Sequence, residues 1–367
     1  ATPITGADDT PIGTITVDSS GVVIFDPAPD YTGPIPDLTY TPNDGTVDGS
    51  PAVVSFGPII AVDDPGAITD LTDGSVAGTD ASVLEGDLAD GTSPAGTGET
   101  VTGSFTVTVA DGVGAISFNG TDVLEAALLG ATPGAPVDIT TPSGTLSIEG
   151  FDPATGVVSY AYTLADDVDH TGGAVTDDIA LILTDGDGDT APGTLSIAIL
   201  DDAPVLAADV DQAINRAGNP SSAAFGNVIT GSEPAQDPNT SDGVADVIGA
   251  DATATPVTGV AAGTGAVSFV TPGGGVVGTF GTLTLNDDGS YSYVPDYLNA
   301  TVAGLDPNSS VEDVFTYQVT DADGSAATTT LTISIVGTPA VLGLSDGSVA
   351  GTDGSVLESN LPDGTAA

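Results

Sequence analysis

The 367-residue chain contains no lysine, cysteine, methionine or tryptophan, and one arginine, Arg216. Each absence excludes something. Without cysteine there is no disulfide staple, no thiolate metal site and no cysteine nucleophile. With a formal net charge of −51 and almost no cation, the chain repels nucleic acid and anionic membranes. No apolar run reaches the ~18 residues of a membrane span, so direct insertion is not expected. Zinc sites usually gather several His or Cys ligands, and His170 is the only histidine. It sits in the loop-like ADDVDHTGG (165–173), has no nucleophile-elbow motif beside it, and is expected to be exposed. Paired carboxylates suit glycoside hydrolysis. Sugar clefts, however, usually carry Trp and Arg, and aromatics at 5% offer little for a stacking platform. Together these absences point away from an enzyme.

What is present is acid. The 52 acidic residues divide into 45 Asp and 7 Glu. Glu suits exposed helix faces, whereas Asp suits turns and caps and is a common ligand of hard cations. Two like charges ~4 Å apart repel by about 1 kcal/mol in water and by more near protein. Arg216 alone cannot offset this, so bound metal or a dense ion atmosphere must. High net charge favours disorder, but 40% of residues are hydrophobic and they fall in ordered alternations. A halophilic surface would spread its charge with ample Glu, unlike the loop-concentrated Asp seen here.

Strand patterns dominate. SFTVTV (104–109), TLSIEGF (145–151), VVSYAYTL (157–164), IALIL (179–183), TLSIAIL (194–200), AVSFV (266–270), GTLTL (281–285), SYSYV (290–294), VFTYQV (314–319) and TLTISIV (330–336) are short and β-branched or aromatic, and Gly, Asp, Asn and Pro bound them. This predicts an all-β chain of antiparallel sandwiches. DVLEAALLG (122–130) and PDYLNATVAGL (295–305) predict two short helices. GSEPAQDPNTSDG (231–243) reads as a long surface loop or a disordered one. A long repeat overlies this: 73–92 and 346–365 match at sixteen of twenty positions, offset by 273 residues. The expectation is one period of a longer array, with a partial unit at each end.

The most informative acidic motif is TDGDGD (184–189). Asp185, Asp187 and Asp189 have the D-x-D-x-D spacing that begins an EF-hand loop, but neither the glycine at its sixth position nor the glutamate at its twelfth follows. Ca²⁺ takes six to eight oxygens in flexible geometry, and alternating glycine lets a loop turn its carboxylates inward. The segment therefore reads as a calcium-binding turn, or as a hairpin turn alone. The pattern returns at DADG (321–324), with Asp321 and Asp323. NDG (43–45) has a similar place with one carboxylate fewer, and Asp287 and Asp288 in LNDDGSY read as an ordinary hairpin turn.

GTLTLNDDGSYSYVPD (281–296), followed by VEDVFTYQVTDADGSAATTTLTISIVGT (311–338), resembles the VCBS repeat, a cadherin-like sandwich of very large bacterial surface proteins. SVLEGDLADGT, ETVTGSFTV, GTLSIEGFDPATGVVSYAYTL, LTDGDGDTAPGTLSIAI and LDDAP, within 73–203, resemble the companion repeat of giant type I-secreted adhesins. GVVIFDPAPDYTGPIPDLTYTPNDG (21–45) resembles the C-terminal part of a related cadherin-like repeat. The resemblance implies tandem cadherin/Ig-like sandwiches forming an elongated rod: part of one repeat at 1–61, an adhesin repeat at 62–203, a VCBS-like sandwich at 204–338 and the start of another repeat at 339–367. It also implies an extracellular or cell-surface location, calcium-stiffened domains, and neighbouring repeats of the same chain as partners, with any glycan or surface ligand bound elsewhere in the full protein. In such tandems metal bridges neighbouring domains. That assigns calcium to the acidic pairs Asp63/Asp64 and Asp201/Asp202 and to Glu85, whose counterpart is Glu358. The alternative for the pairs is an exposed linker kept soluble by charge. An alternative for the whole is a subunit of a self-assembling filament or sheath, in which 340–367 adds strands to another copy.

Overall fold

The computed structural model describes residues 2–6, 10–28, 31, 33–59, 66–71, 78–215, 223–234, 243–266, 268–307 and 309–337. Asp63, Asp64, Arg216, Glu358, the middle of the 231–243 loop and the whole 339–367 segment lie outside these residues. The chain divides into two units, one of residues 1–84, 97–168 and 174–200 and the other of 85–96, 169–173 and 201–367.

In the first unit β1 (Thr2–Thr5), β2 (Pro11–Val17) and β3 (Val23–Pro27) form an antiparallel sheet, and β4 (Leu38–Tyr40) pairs with β5 (Ala52–Val54). The rest is built from β6 (Ala67–Thr69), β7 (Ala81–Leu84), β8 (Thr100–Thr108), β9 (Val113–Phe118), β10 (Thr121–Leu124), β11 (Val137–Thr140), β12 (Gly144–Asp152), β13 (Val157–Leu164), β14 (Val175–Asp185) and β15 (Thr190–Leu200). These make two five-stranded sheets, β11-β12-β13-β8-β6 and β10-β9-β14-β15-β7. Period-two alternation decides what each strand buries. Along β14, Asp177, Ile179, Leu181, Leu183 and Asp185 face inward while Asp178, Ala180 and Ile182 face out. Phe105 of β8 and Phe118 of β9, one from each sheet, are buried with ring centroids 6.4 Å apart, so both sheets close on one core. The helix α1 (Glu125–Gly130) follows β10 directly and buries Leu128.

The second unit repeats the plan with β16 (Asp209–Asn215), β17 (Ala224–Asn227), β18 (Val257–Ala262), β19 (Gly275–Val277), β20 (Gly281–Leu285), β21 (Ser290–Pro295), β22 (Ser310–Thr320) and β23 (Ala326–Gly337). The sheets are β16-β23-β22-β18 and β17-β21-β20-β19. Tyr293 of β21 meets Phe315 of β22 edge-on at 5.9 Å, within a core that also holds Leu283, Tyr317, Leu331 and Ile333. Each such side chain contributes about 1.5–3 kcal/mol by burial. A short helix, α2 (Ala300–Ala303), starts at Asn299, whose side chain accepts from the Thr301 and Val302 amides.

The architecture is thus all-β, and among the described residues its sheets are antiparallel except at one place in each unit. There the pairing is parallel, β7 with β15 and β16 with β23. The last two described strands of each unit form a long hairpin, β14–β15 and β22–β23, and the hairpin turns carry the acidic motifs.

Candidate metal centres

The two hairpin turns are built alike. Asp185 N donates to Asp189 O at 3.0 Å, and Asp321 N donates to Ser325 O at 3.1 Å. The Asp185 carboxylate accepts from Gly188 N at 3.0 Å, and that of Asp321 accepts from Gly324 N at 2.9 Å. Both glycines have positive φ, +106° and +112°, which an L side chain adopts only with strain. Because Asp185 and Asp321 continue the inward-facing set of β14 and β22, both are buried, at 4% and 6% exposure. In each, Oδ1 is held by the turn and Oδ2 is buried without a hydrogen-bond partner.

The turns differ in what completes them. In the first unit the sequence supplies everything: oxygens of Asp185, Asp187 and Asp189 lie within 4.8 Å of one another. In the second unit Ser325 stands where Asp189 would, and the missing carboxylates arrive from elsewhere in the fold. Oxygens of Asp201, Asp251 and Asp323 lie within 4.8 Å of one another, and Ser325 Oγ donates to Asp201 Oδ2 at 2.5 Å. Both oxygens of Asp323 are buried without a hydrogen-bond partner. Burial, reinforced by the Asp323 carboxyl, pushes Asp321 up to about 6. Like charges brought this close resist joint ionisation unless a cation joins them.

The predicted residues therefore regroup. Asp323 and Asp201, expected in a loop site and a linker site, belong to one cluster. Asp251 joins them and carried no motif of its own. Asp202 stays outside it: Thr92 donates to both its oxygens, from its amide at 2.8 Å and from its hydroxyl, and Ala250 N donates at 3.2 Å. Glu85 is fully buried at the start of a 3-10 turn, Glu85–Asp87, and faces His170 and Asp201. His170, expected at the surface, has a side chain only 7% exposed, with Nε2 3.4 Å from Glu85 Oε2. The fold folds its loop back onto Glu85. At the third acidic turn, Asn43 and Asp44 serve the loop itself: Asn43 accepts from Gly45 N, and Asp44 accepts from Thr46 and Val47. Asp288 likewise accepts from Ser290, closing the β20–β21 hairpin.

A second population of aspartates points into the cores, where motif reading did not look. Asp177 accepts from Tyr162 Oη (2.7 Å), Thr141 Oγ1 (2.5 Å) and Ser143 N (3.2 Å). Asp313 accepts from Tyr293 Oη (2.9 Å), Thr279 N and Phe280 N. Each stands eight residues before the turn aspartate of its strand, Asp185 or Asp321, so the two units share the whole Tyr–Asp and turn-Asp arrangement. Tyr291 pairs with Asp211 at 2.7 Å. Tyr317 Oη lies 2.7 Å from Asp209 Oδ2 and 2.9 Å from Asp246 Oδ2, all three groups being buried. The available signal was an Asp at an inward position of an otherwise apolar alternation.

The class these features define is an all-β protein of two-sheet sandwiches with acidic hairpin turns. No family model and no curated protein matches the chain. Among solved structures, similar chains include protocadherin gamma B7 extracellular cadherin domains 1–4, at 11% identity over 88% of this chain and 64% of that one, with a TM-score of 0.28. Domains 1–3 of a mouse clustered protocadherin align at 11% over 88% and 85%, with a TM-score of 0.28. A 1.5-MDa bacterial ice-binding adhesin aligns at 14% over 83% and 74%, with a TM-score of 0.25. The chain thus spans less than two thirds of the first of these. Among the described residues no helix is long and apolar enough to cross a membrane.

Proposed function

We propose that this chain is a spacer segment of a giant extracellular bacterial adhesin, and that Ca²⁺ in its acidic turns holds its sandwiches rigid. The observation that carries this is the shared hairpin turn, in which a buried carboxylate keeps one oxygen without a hydrogen-bond partner. A buried carboxylate oxygen left this way is costly in water-poor surroundings. The donor sets are all oxygen and mostly carboxylate, which is calcium chemistry. Asp185, Asp187 and Asp189 would hold one ion, and Asp201, Asp251 and Asp323 another. Bound calcium supplies the positive charge that the chain's own residues lack. The resemblance to adhesin repeats supplies the setting: a surface-exposed tandem that carries adhesion and biofilm contacts made by other parts of the protein.

Binding to the folded state alone stabilises it, by about 2.7 kcal/mol per site at a hundredfold excess over Kd. Calcium loading should therefore raise the melting temperature by roughly 5–15 °C over the EDTA-treated chain. Asp185→Asn and Asp323→Asn should each remove part of that rise. A melting temperature indifferent to calcium would overturn the reading.

A further inference from the structure

We propose that Glu85, His170 and Asp201 form a site for a divalent transition-metal ion, distinct in chemistry from the all-oxygen clusters. The three residues come from distant stretches of chain, yet one donor atom from each lies within 4.8 Å of the other two. Each is fixed by a hydrogen bond of its own. Glu85 opens a 3-10 turn closed by Leu88 N on Glu85 O at 2.9 Å. His170 sits in a turn closed by Gly173 N on His170 O at 2.8 Å. Asp201 is held by Ser325.

The imidazole is the informative member. Its side chain is 7% exposed, Nε2 is buried, and no hydrogen bond reaches that nitrogen. The separation of 3.4 Å from Glu85 Oε2 is longer than the ~2.7–2.9 Å of a charge-assisted N–H···O bond. An imidazole packed among two carboxylates, its buried Nε2 without a hydrogen bond, is the arrangement a metal ion draws together. Imidazole suits Zn²⁺, Co²⁺, Ni²⁺ and Fe²⁺, whereas Ca²⁺ takes oxygen. Two carboxylates neutralise a dication, so one histidine suffices where the acids supply the remaining donors. Asp201 belongs to both groupings, and its carboxylate places this ion beside the Asp251–Asp323 cluster.

The test uses the full chain saturated with Ca²⁺ and titrated with Co²⁺, followed by visible d–d absorption and by the ring resonances of His170. Because this is the only histidine, its signals need no assignment. The expected result is one equivalent of Co²⁺ that broadens or shifts the imidazole signals. Affinity should fall at least ~10-fold in His170→Ala and in Glu85→Gln. Imidazole signals that ignore Co²⁺ and Zn²⁺ would show an ion pair only and overturn the proposal, without needing any variant to fold. Calcium-induced stabilisation is read on the same samples. Its persistence in His170→Ala alongside lost Co²⁺ binding is expected, and its absence in the wild type would overturn the calcium reading alone.

Discussion

At the scale of single residues, the chain uses aspartate in two opposite ways. Turn aspartates gather oxygens toward one point; core aspartates give theirs to tyrosine. The Tyr317 group shows what the second use demands. One phenol carries one proton, yet Tyr317 Oη lies within bonding distance of both Asp209 and Asp246, so one acid must keep its proton to close the second contact. Burial pushes Asp209 up to about 7, with the neighbouring Asp246 adding to the rise against the Tyr317 hydrogen bond, and burial also raises Asp246. On the same inward face of β16, the other acid is Asp211, which is engaged by Tyr291. A folded-state pKa above the unfolded value means that this group's contribution is complete below pH ~4 and is lost as pH rises through about 7. Asp209→Asn should therefore flatten the fall in melting temperature between pH 4 and 7 relative to wild type, in a paired series of melts. Identical slopes would place the shared proton elsewhere. Tyr293→Phe should cost about 1–2 kcal/mol by urea unfolding, since Asp313 keeps the Thr279 and Phe280 amides but loses a buried donor.

At the scale of elements, the hairpin turn is the recurring part. Gly188 and Gly324 occupy positive φ with open space around the position of a Cβ. Substitution by alanine there strains the backbone without a clash and should cost about 1–3 kcal/mol. Gly188→Ala should also weaken calcium binding at Asp185, because the Gly188 amide orients that carboxylate; isothermal titration reads the change. Strands were the most legible elements. VVSYAYTL and GTLTL span Val157–Leu164 and Gly281–Leu285 with the bounds their alternation predicts, and a helix forms within each predicted segment, at Glu125–Gly130 and Ala300–Ala303, while Asp122, Val123 and Leu124 belong to β10. No strand forms among the described residues of AVSFV, where Val270 makes an isolated bridge with Val260. Its apolar pattern serves instead to pack Phe269 against Gly259, too close for any side chain at 259. Period-two patterning reports which face is buried, not whether a partner strand is present.

At the scale of the whole molecule, a charge of −51 is the governing quantity. Without divalent ions the folded chain concentrates that charge, and only screening relieves it. In EDTA the melting temperature should rise steeply with NaCl between low salt and about 1 M, as the Debye length falls from about 30 Å to 3 Å. With calcium bound the dependence should be shallower, because local neutralisation has replaced screening. Equal salt slopes in both states would show that the acidic turns carry no ion.

The sequence by itself determined the all-β architecture and the turn positions of Asp185, Asp187, Asp189, Asp321 and Asp323, because each follows from local spacing. The tertiary structure alone decided which acids meet. Asp251 and Asp201 complete the turn that Ser325 leaves short, Asp202 is spent on Thr92 and Ala250, and His170 is drawn in beside Glu85. These groupings depend on strand pairing between residues tens to hundreds apart, and no local pattern records which distant carboxylate a fold will bring to a given turn.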